Sequence, residues 1–423
     1  MSKKKTMLQE KEFYSKVCVA GSIKFVVGEA TEENIQLSDL DKFSCNLATI
    51  LARDKEVVAV NLKTLPNKCK VYIAKNNAWS VEDLAYLNKV KETLINVSND
   101  APMTFKQALD RNDVKDLYGT IMKYCSKKLE SRLKKLRNDI VNEEGKIDDE
   151  YIQSFLDYAK NKKINADDIY NDKKKSAISR VCSEYYHTAK SDPTFPKKFL
   201  GHIKKVGSYI GSLMNITNCV CKDKYKNLFS SIDMNLLDPI HADQPISSWK
   251  DVVQKFFHAQ EKGYNNFKKT CLKDYVIRSK LEVIYGGVGK QLECENVSHI
   301  YLHAELNVLT KIMNIDKERK FIAVSKRCCY LCESYIRFAQ SKGHNIAFSG
   351  SHKKLYHGWK LPDTFKKEFM SDALFELDQI IEREIESHTS TSANSDSGAE
   401  SGSDNLNYDG IEFVDTLDDT FDF

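Results

Sequence analysis

Glycine and proline are scarce in this 423-residue chain, at 17 and 7 residues. That excludes collagen-like and linker-dominated architectures. No apolar run approaches the roughly 18 residues that a spanning helix needs, so no membrane partner is expected. No apolar stretch follows the lysines of Met1-Ser-Lys-Lys-Lys-Thr6, which argues against a cleaved signal peptide. Without a secretory signal the 12 cysteines read as reduced thiols or metal ligands, and an intracellular location, cytoplasm or nucleus, is expected. Heptads are not sustained, and Gly286-Gly-Val-Gly289 fits neither phosphate-binding glycine frame. What remains is an ordinary globular composition, 41 % hydrophobic and 29 % charged, long enough for two or three domains.

Basic residues are missing from one end. From Glu386 to Phe423 there are ten acids and no Lys or Arg, so the formal net charge of +4 conceals an excess of 14 positive charges over residues 1–385. A basic body invites polyanions such as nucleic acid. The plainer reading is a set of well-solvated lysine-rich helices. The tail ends in acids interleaved with Phe and Leu, the composition of a disordered interaction peptide. A protein partner, an intramolecular shield for the basic body and a merely solvated tail all fit it.

Residues 1–20 are polar and predict disorder, and Ile23–Val27 reads as a first strand. Leu40, Phe43, Leu47, Ile50 and Leu51 are spaced as on a helix that Ser38 or Asp39 could cap. Val57–Leu62 and Lys70–Ala74 read as a hairpin around Pro66-Asn67. Ser80-Val-Glu-Asp83 opens another helix, to about Ile95. From about Asn99 to Lys280 helical periodicity dominates and strand signals almost vanish; β signal returns at Glu282-Val-Ile-Tyr285. Cys125, Cys182 and Cys271 read as core residues. Cys219-Val-Cys221 reads as core or as an isolated metal-binding pair.

The chemistry starts at Ile300. His303-Ala-Glu305 is followed 24 residues later by Cys329-Tyr-Leu-Cys332, the H-x-E…C-x-x-C spacing of zinc deaminases. Two cysteines three apart at a helix start aim both thiols at one point, where the helix end favours thiolates. His303 supplies an imidazole from a second helix. Three protein ligands leave the fourth tetrahedral position for water, the mark of a catalytic zinc site. Zinc acidifies that water, and Glu305, two residues from His303, is placed to pass its proton to a ring nitrogen while hydroxide attacks the amidine carbon and ammonia leaves. The competing reading is an inactive zinc-binding module serving nucleic-acid or protein interaction; a deaminase toxin is a third class.

His-Ala-Glu, then Ser325-Lys-x-x-Cys-Tyr-Leu-Cys-Glu333, then Gly350-Ser-His-Lys-Lys-Leu-Tyr-His-Gly-Trp-Lys-Leu-Pro362, resembles the OTT-type deaminases found in fungi, members of the cytidine deaminase-like superfamily. The match covers about Tyr301–Pro362. Cys328 stands where the superfamily pattern usually has Pro, and it reads as an adjacent buried thiol. The resemblance implies Zn2+ on His303, Cys329 and Cys332, with Glu305 catalytic, and a three-layer α/β cytidine deaminase-like fold. Its first helix and hairpin are then separated from the His-x-Glu helix by a long all-α insertion; two independent domains are the alternative. The implied division is a disordered start (1–20), the helix and hairpin of the deaminase domain (21–98), the helical insertion (99–280), the zinc-binding catalytic part (281–386) and the disordered acidic tail (387–423). Phe321–Ser325 and His344–Ser349 are its later strands, Tyr330–Gln340 its second metal-bearing helix and Pro362 to about Ile385 its last helix. Superfamily members place a sugar-contacting Asn after the second strand, which points to Asn76 with Asn77 behind it, or else to a turn-forming pair. The loop after the fourth strand reads a neighbouring base in the polynucleotide-editing branch, which makes His352 and Tyr356 substrate-binding candidates and leaves Trp359 as a core anchor. The implied substrate is a nucleobase in a nucleotide or, by the basic body, a nucleic acid.

Overall fold

A computed structural model describes residues 3–31, 35–141, 149–170, 174–258 and 260–394. The fold is mixed α/β, with a five-stranded sheet, a two-stranded sheet and many helices. The described residues divide into two compact units, the first drawn from 3–31, 239–319 and 327–394, the second from 35–238 with Lys320–Lys326. Among the described residues no helix is long and apolar enough to cross a membrane.

In the second unit, β1 (Val58–Leu65) and β2 (Lys68–Lys75) form an antiparallel hairpin whose turn, between Leu65 and Lys68, is Pro66-Asn67. A third strand, β3 (Ile232–Leu237), lies parallel to β2. The expectation of an all-helical stretch from 99 to 280 missed it, although Ile232, Met234 and Leu236 alternate with Asp233 and Asn235 as on a half-buried strand. Two further strands belong to the first unit: β4 (His241–Ile246) and β5 (Asn296–Tyr301), antiparallel to each other. β4 contains Pro245 and is exposed or half-buried except at Ile246, and it too fell inside the stretch read as helical. Back in the second unit, β6 (Lys320–Val324) runs antiparallel to β1, with Ala59 opposite Val324 and Val60 opposite Ala323. The hairpin and residues 320–324 therefore share one sheet, with the local order β3-β2-β1-β6. The side-chain amide of Asn61 donates to the Phe321 carbonyl at 2.9 Å, and Val58 N–H to the Ser325 hydroxyl at 3.0 Å, so polar groups are satisfied inside this buried seam. Helices Asp39–Leu51 and Val81–Asn99 start at capping boxes, Ser38 with Asp41 and Ser80 with Asp83.

In the first unit the start of the chain is a helix, Lys3–Ile23, where disorder and a first strand were expected. Its opening residues are polar, but Phe13, Val17, Cys18 and Ala20 are fully buried, and burial of that face outweighs the lysines before it. Only an isolated bridge, Val26 with Lys354, stands where Ile23–Val27 was read as a strand. The helix is tied to the long helix Lys366–Asn394 by Lys16–Asp378 at 2.8 Å and Lys24–Glu384 at 3.0 Å. That long helix carries eight residues of the segment read as a disordered tail; positions 395–423 lie outside the described residues. Glu282–Tyr285, read as strand, ends the helix Tyr275–Tyr285, which Gly286 terminates in the left-handed conformation at φ +74°. A short strand, β7 (Ile346–Phe348), follows the helix Tyr330–Ser341.

Candidate metal centre

Two helix starts in the first unit build the site. β5 runs out at Tyr301, and His303 is the N-cap of the helix Ala304–Ile312, its carbonyl accepting from Leu306 and Asn307 N–H. Glu305 sits in that helix's first turn, where the unpaired N–H groups favour a negative side chain. Cys329 is the N-cap of Tyr330–Ser341, and its sulfur accepts from the Cys332 N–H at 3.4 Å. The capping position also separates the adjacent thiols. Cys328 is buried, but its backbone pairs with Gly350 and His352, and it is not among the clustered donors.

The four side chains converge. His303 Nδ1 stands 3.5 Å from Cys329 Sγ, 3.3 Å from Cys332 Sγ and 3.9 Å from a Glu305 oxygen. One ligand atom from each of the four lies within 4.8 Å of all the others, and all four residues are buried. Bonds of about 2.0–2.3 Å in a tetrahedral zinc site hold nitrogen and sulfur ligands roughly 3.5 Å apart, which is the spacing found here. A buried imidazole with two thiols is a zinc donor set, and the residues fit that ion.

The electrostatics agree. Burial pushes the Cys329 thiol up, but the Cys332 hydrogen bond and His303 outweigh it and bring it down to about 6. Burial and the neighbouring Cys329 drive the Cys332 thiol well up. Burial lowers His303, yet the Cys329 thiolate and Glu305 raise it overall. Bringing a divalent cation among these groups resolves the conflict. Glu305 Oε2 and His303 Nε2 are buried without a hydrogen-bond partner, so the carboxylate keeps an unused acceptor beside the donor cluster.

Around this centre the structure adds two residues. Trp359, fully buried, donates its indole N–H to Cys332 Sγ at 3.2 Å. It also packs near Phe13 and Phe369, as a core anchor should. The rule that a buried indole seeks an acceptor could have flagged it, although not which acceptor. Tyr301 stacks on the His303 ring, centroids 5.0 Å apart, and was not singled out. Of the substrate candidates, Tyr356 meets the His303 ring edge-on at 6.0 Å and His352 meets Tyr356 at 5.8 Å. Asn76 is a half-buried bend residue just after β2, in the second unit. Cys219 and Cys221 are buried and join no metal-ligand group among the described residues.

Residues 302–363 match the model of a family described as "OTT_1508_deam:-like deaminase", a deaminase family of the cytidine deaminase-like superfamily. No curated protein and no solved structure matches the chain. The matched segment spans the whole cluster from His303 to Cys332 and continues through Trp359.

Proposed function

We propose that the protein is a zinc-dependent hydrolytic deaminase acting on a nucleobase, with nucleic acid favoured over a free nucleoside. One observation carries the reading: a buried His-Cys-Cys donor set with a carboxylate oxygen beside it that has no partner. His303, Cys329 and Cys332 would hold the metal. Zinc bound there supplies a Lewis acid that makes water nucleophilic near neutral pH. Glu305 performs the proton transfers: its carboxylate accepts a proton from the attacking water and delivers it to the ring nitrogen of the base, then takes the proton of the newly added hydroxyl and passes it to the departing amine. Water adds to the amidine carbon, the exocyclic C–N bond breaks and ammonia leaves. Tyr301 and Tyr356 flank the His303 ring and wall the site against bulk water. The excess of positive charge over residues 1–385 supports a polyanionic substrate.

The test is a mass-spectrometric screen of nucleosides, nucleotides and oligonucleotides with zinc-loaded protein, followed by Glu305→Gln on whichever substrate loses its amine. General acid–base catalysis is worth about 10²–10⁴-fold, and a group acting in successive steps belongs near the top of that range. The expected variant keeps its zinc and its fold and loses activity by that factor. Ammonia release at the wild-type rate from Glu305→Gln would remove the mechanism. Zinc retention with no turnover of any base would leave a zinc-binding module instead.

A further inference from the structure

A histidine that binds a metal through one ring nitrogen is ordinarily held in place by a hydrogen bond from the other, to a carboxylate, a carbonyl or a water. His303 has no such bond. Its Nδ1 faces the Cys332 and Cys329 sulfurs, whereas its Nε2 is buried without a partner. The plane of this imidazole is therefore set by what packs against it. Tyr356 touches it only edge-on, at an interplanar angle of 64°. Tyr301 lies along it, with centroids 5.0 Å apart and the rings 29° from parallel.

Tyr301 is itself held from two directions. It closes β5, where the register sets His241 of β4 opposite it. On the other side its N–H donates to the Gly358 carbonyl at 2.8 Å, and its carbonyl accepts from the Lys360 N–H at 2.9 Å. Gly358 also makes room for the ring. A Cβ there would stand 3.2 Å from Tyr301 Cε1 and 3.3 Å from the His299 carbonyl oxygen, so a methyl group would be pinched between the tyrosine and strand backbone. The glycine is thus needed for space, and its neighbour Trp359 donates to Cys332 Sγ. One short segment acts on a donor from each of the two helix starts: Gly358 through the Tyr301 ring on His303, Trp359 directly on Cys332.

We infer that Tyr301 is a positioning residue for the metal ligand His303: its ring, seated against Gly358, orients the imidazole as a hydrogen bond on Nε2 otherwise would. Stacking resists rotation of the imidazole, because tilting drives its edge into the tyrosine face, and it leaves the Nδ1 lone pair free for a metal. An imidazole with a cation on Nδ1 is also more positive than a bare one. Its attraction to the π electrons of Tyr301 therefore grows on metal binding, so the stack favours the loaded state over the empty one. The inference rests on the zinc reading of the cluster and adds to it a residue that donates no atom to the metal.

The experiment is a competition titration of the full-length chain with zinc against a chromophoric chelator. It is repeated with cobalt(II), whose visible bands report ligand geometry, and accompanied by thermal melts of the metal-free chain. Tyr301→Leu should weaken zinc binding about 10-fold, the low end of what loss of an outer-shell partner costs, and shift the cobalt bands. Tyr301→Phe keeps the ring and should match the wild type in both. Gly358→Ala leaves every ligand and the tyrosine in the chain, yet should lower the affinity by displacing the ring. In the Tyr301→Leu background it should lower it no further, since the two substitutions act through one contact. A ring that only filled space would, when removed, lower the metal-free melt and leave the zinc affinity and the cobalt bands alone. Wild-type zinc affinity in Tyr301→Leu, or an equal loss in Tyr301→Phe, would overturn the inference. Should Tyr301→Leu not fold, wild-type affinity and bands in Gly358→Ala overturn it instead. A wild-type chain that takes up no metal would overturn the zinc reading along with it, whereas metal uptake that neither substitution changes overturns this inference alone.

Discussion

The indole N–H of Trp359 and the sulfur of Cys332 are 27 positions apart in sequence and 3.2 Å apart in space. In the proposed zinc centre such a hydrogen bond would fix the orientation of the Cys332 thiolate and the electron density on its sulfur. Removing a contact of this kind typically costs about 10–100-fold in metal affinity. Trp359→Phe keeps most of the buried ring and loses the N–H, so zinc should be given up to a competing chelator at correspondingly lower chelator concentration, with helical content unchanged. This contact marks the limit of what single residues disclose. His303, Glu305, Cys329 and Cys332 were legible because short-range spacing, two and three residues on a helix start, already dictates which atoms converge. The choice of Cys329 over Cys328 was legible for the same reason. Trp359 as a donor and Tyr301 as a stacking ring were not. Each depends on segments brought together by the fold, and no local periodicity encodes them.

Among elements, the hairpin of β1 and β2 was legible from its two apolar runs and Pro66-Asn67, and both early helices from their capping serines. β4 was not, because its Pro245 and polar positions resemble a loop until a partner strand supplies hydrogen bonds, and β3 was passed over although its apolar and polar residues alternate as on a strand. The end of β2 shows what holds the second unit together. Lys75 Nζ bridges Glu56 at 3.0 Å and Asp83 at 2.6 Å, and all three residues are buried. Arg53 reaches the same two carboxylates, at 3.3 Å and 3.1 Å, so Lys75→Ala leaves them one cation and should lower stability by about 1–3 kcal/mol in denaturant titration. Burial alone would raise Asp83, but Lys75 and the Ser80 backbone bring it down to about 2 from an ordinary 3.8. A carboxylate lowered in the folded state stabilises above its unfolded value, and that contribution drains away as the pH falls through about 4 towards about 2. Asp83→Asn should flatten this acid decline in a pH series of thermal melts. Helix packing makes a further demand: a Cβ on Gly207 of the helix Lys197–Val220 would stand 2.5 Å from the Ser183 backbone nitrogen and 2.6 Å from its Cα, on the facing helix Lys175–Ala189. Backbone cannot step aside as a side chain does. Gly207→Ala should cost about 1–3 kcal/mol despite the gain in helix propensity, measurable in the same titration.

At the scale of the whole molecule, each compact unit is built from stretches far apart in sequence: the first joins the opening helix to residues 239–319 and 327–394, and the second holds β1, β2, β3 and β6 together. Pairing between strands that are distant in sequence decides such membership, and composition is blind to it. Net charge needs no fold. Residues 395–423 carry nine acids and no Lys or Arg, so ending the chain at Asn394 raises its formal charge from +4 to +13. On the shielding reading of the tail, a polyanion approaching the protein would compete with those acids for the same lysines, and the competition would weaken as salt screens both. Binding of a single-stranded oligonucleotide should therefore be tighter for the chain ending at Asn394 than for the full chain at low ionic strength. The two should converge as the Debye length falls from about 30 Å at 0.01 M salt to about 3 Å at 1 M. The shortened chain should also show the steeper salt dependence, since more of its cations are available to displace counterions from the strand. A tail that only solvates the protein predicts parallel salt curves at equal affinity. A tail that docks a separate protein partner predicts the same parallel curves in the purified system, with a difference only when that partner is added. Parallel curves would thus end the shielding reading, whereas curves that diverge only at low salt would make the acidic tail a regulator of how strongly the basic body engages nucleic acid.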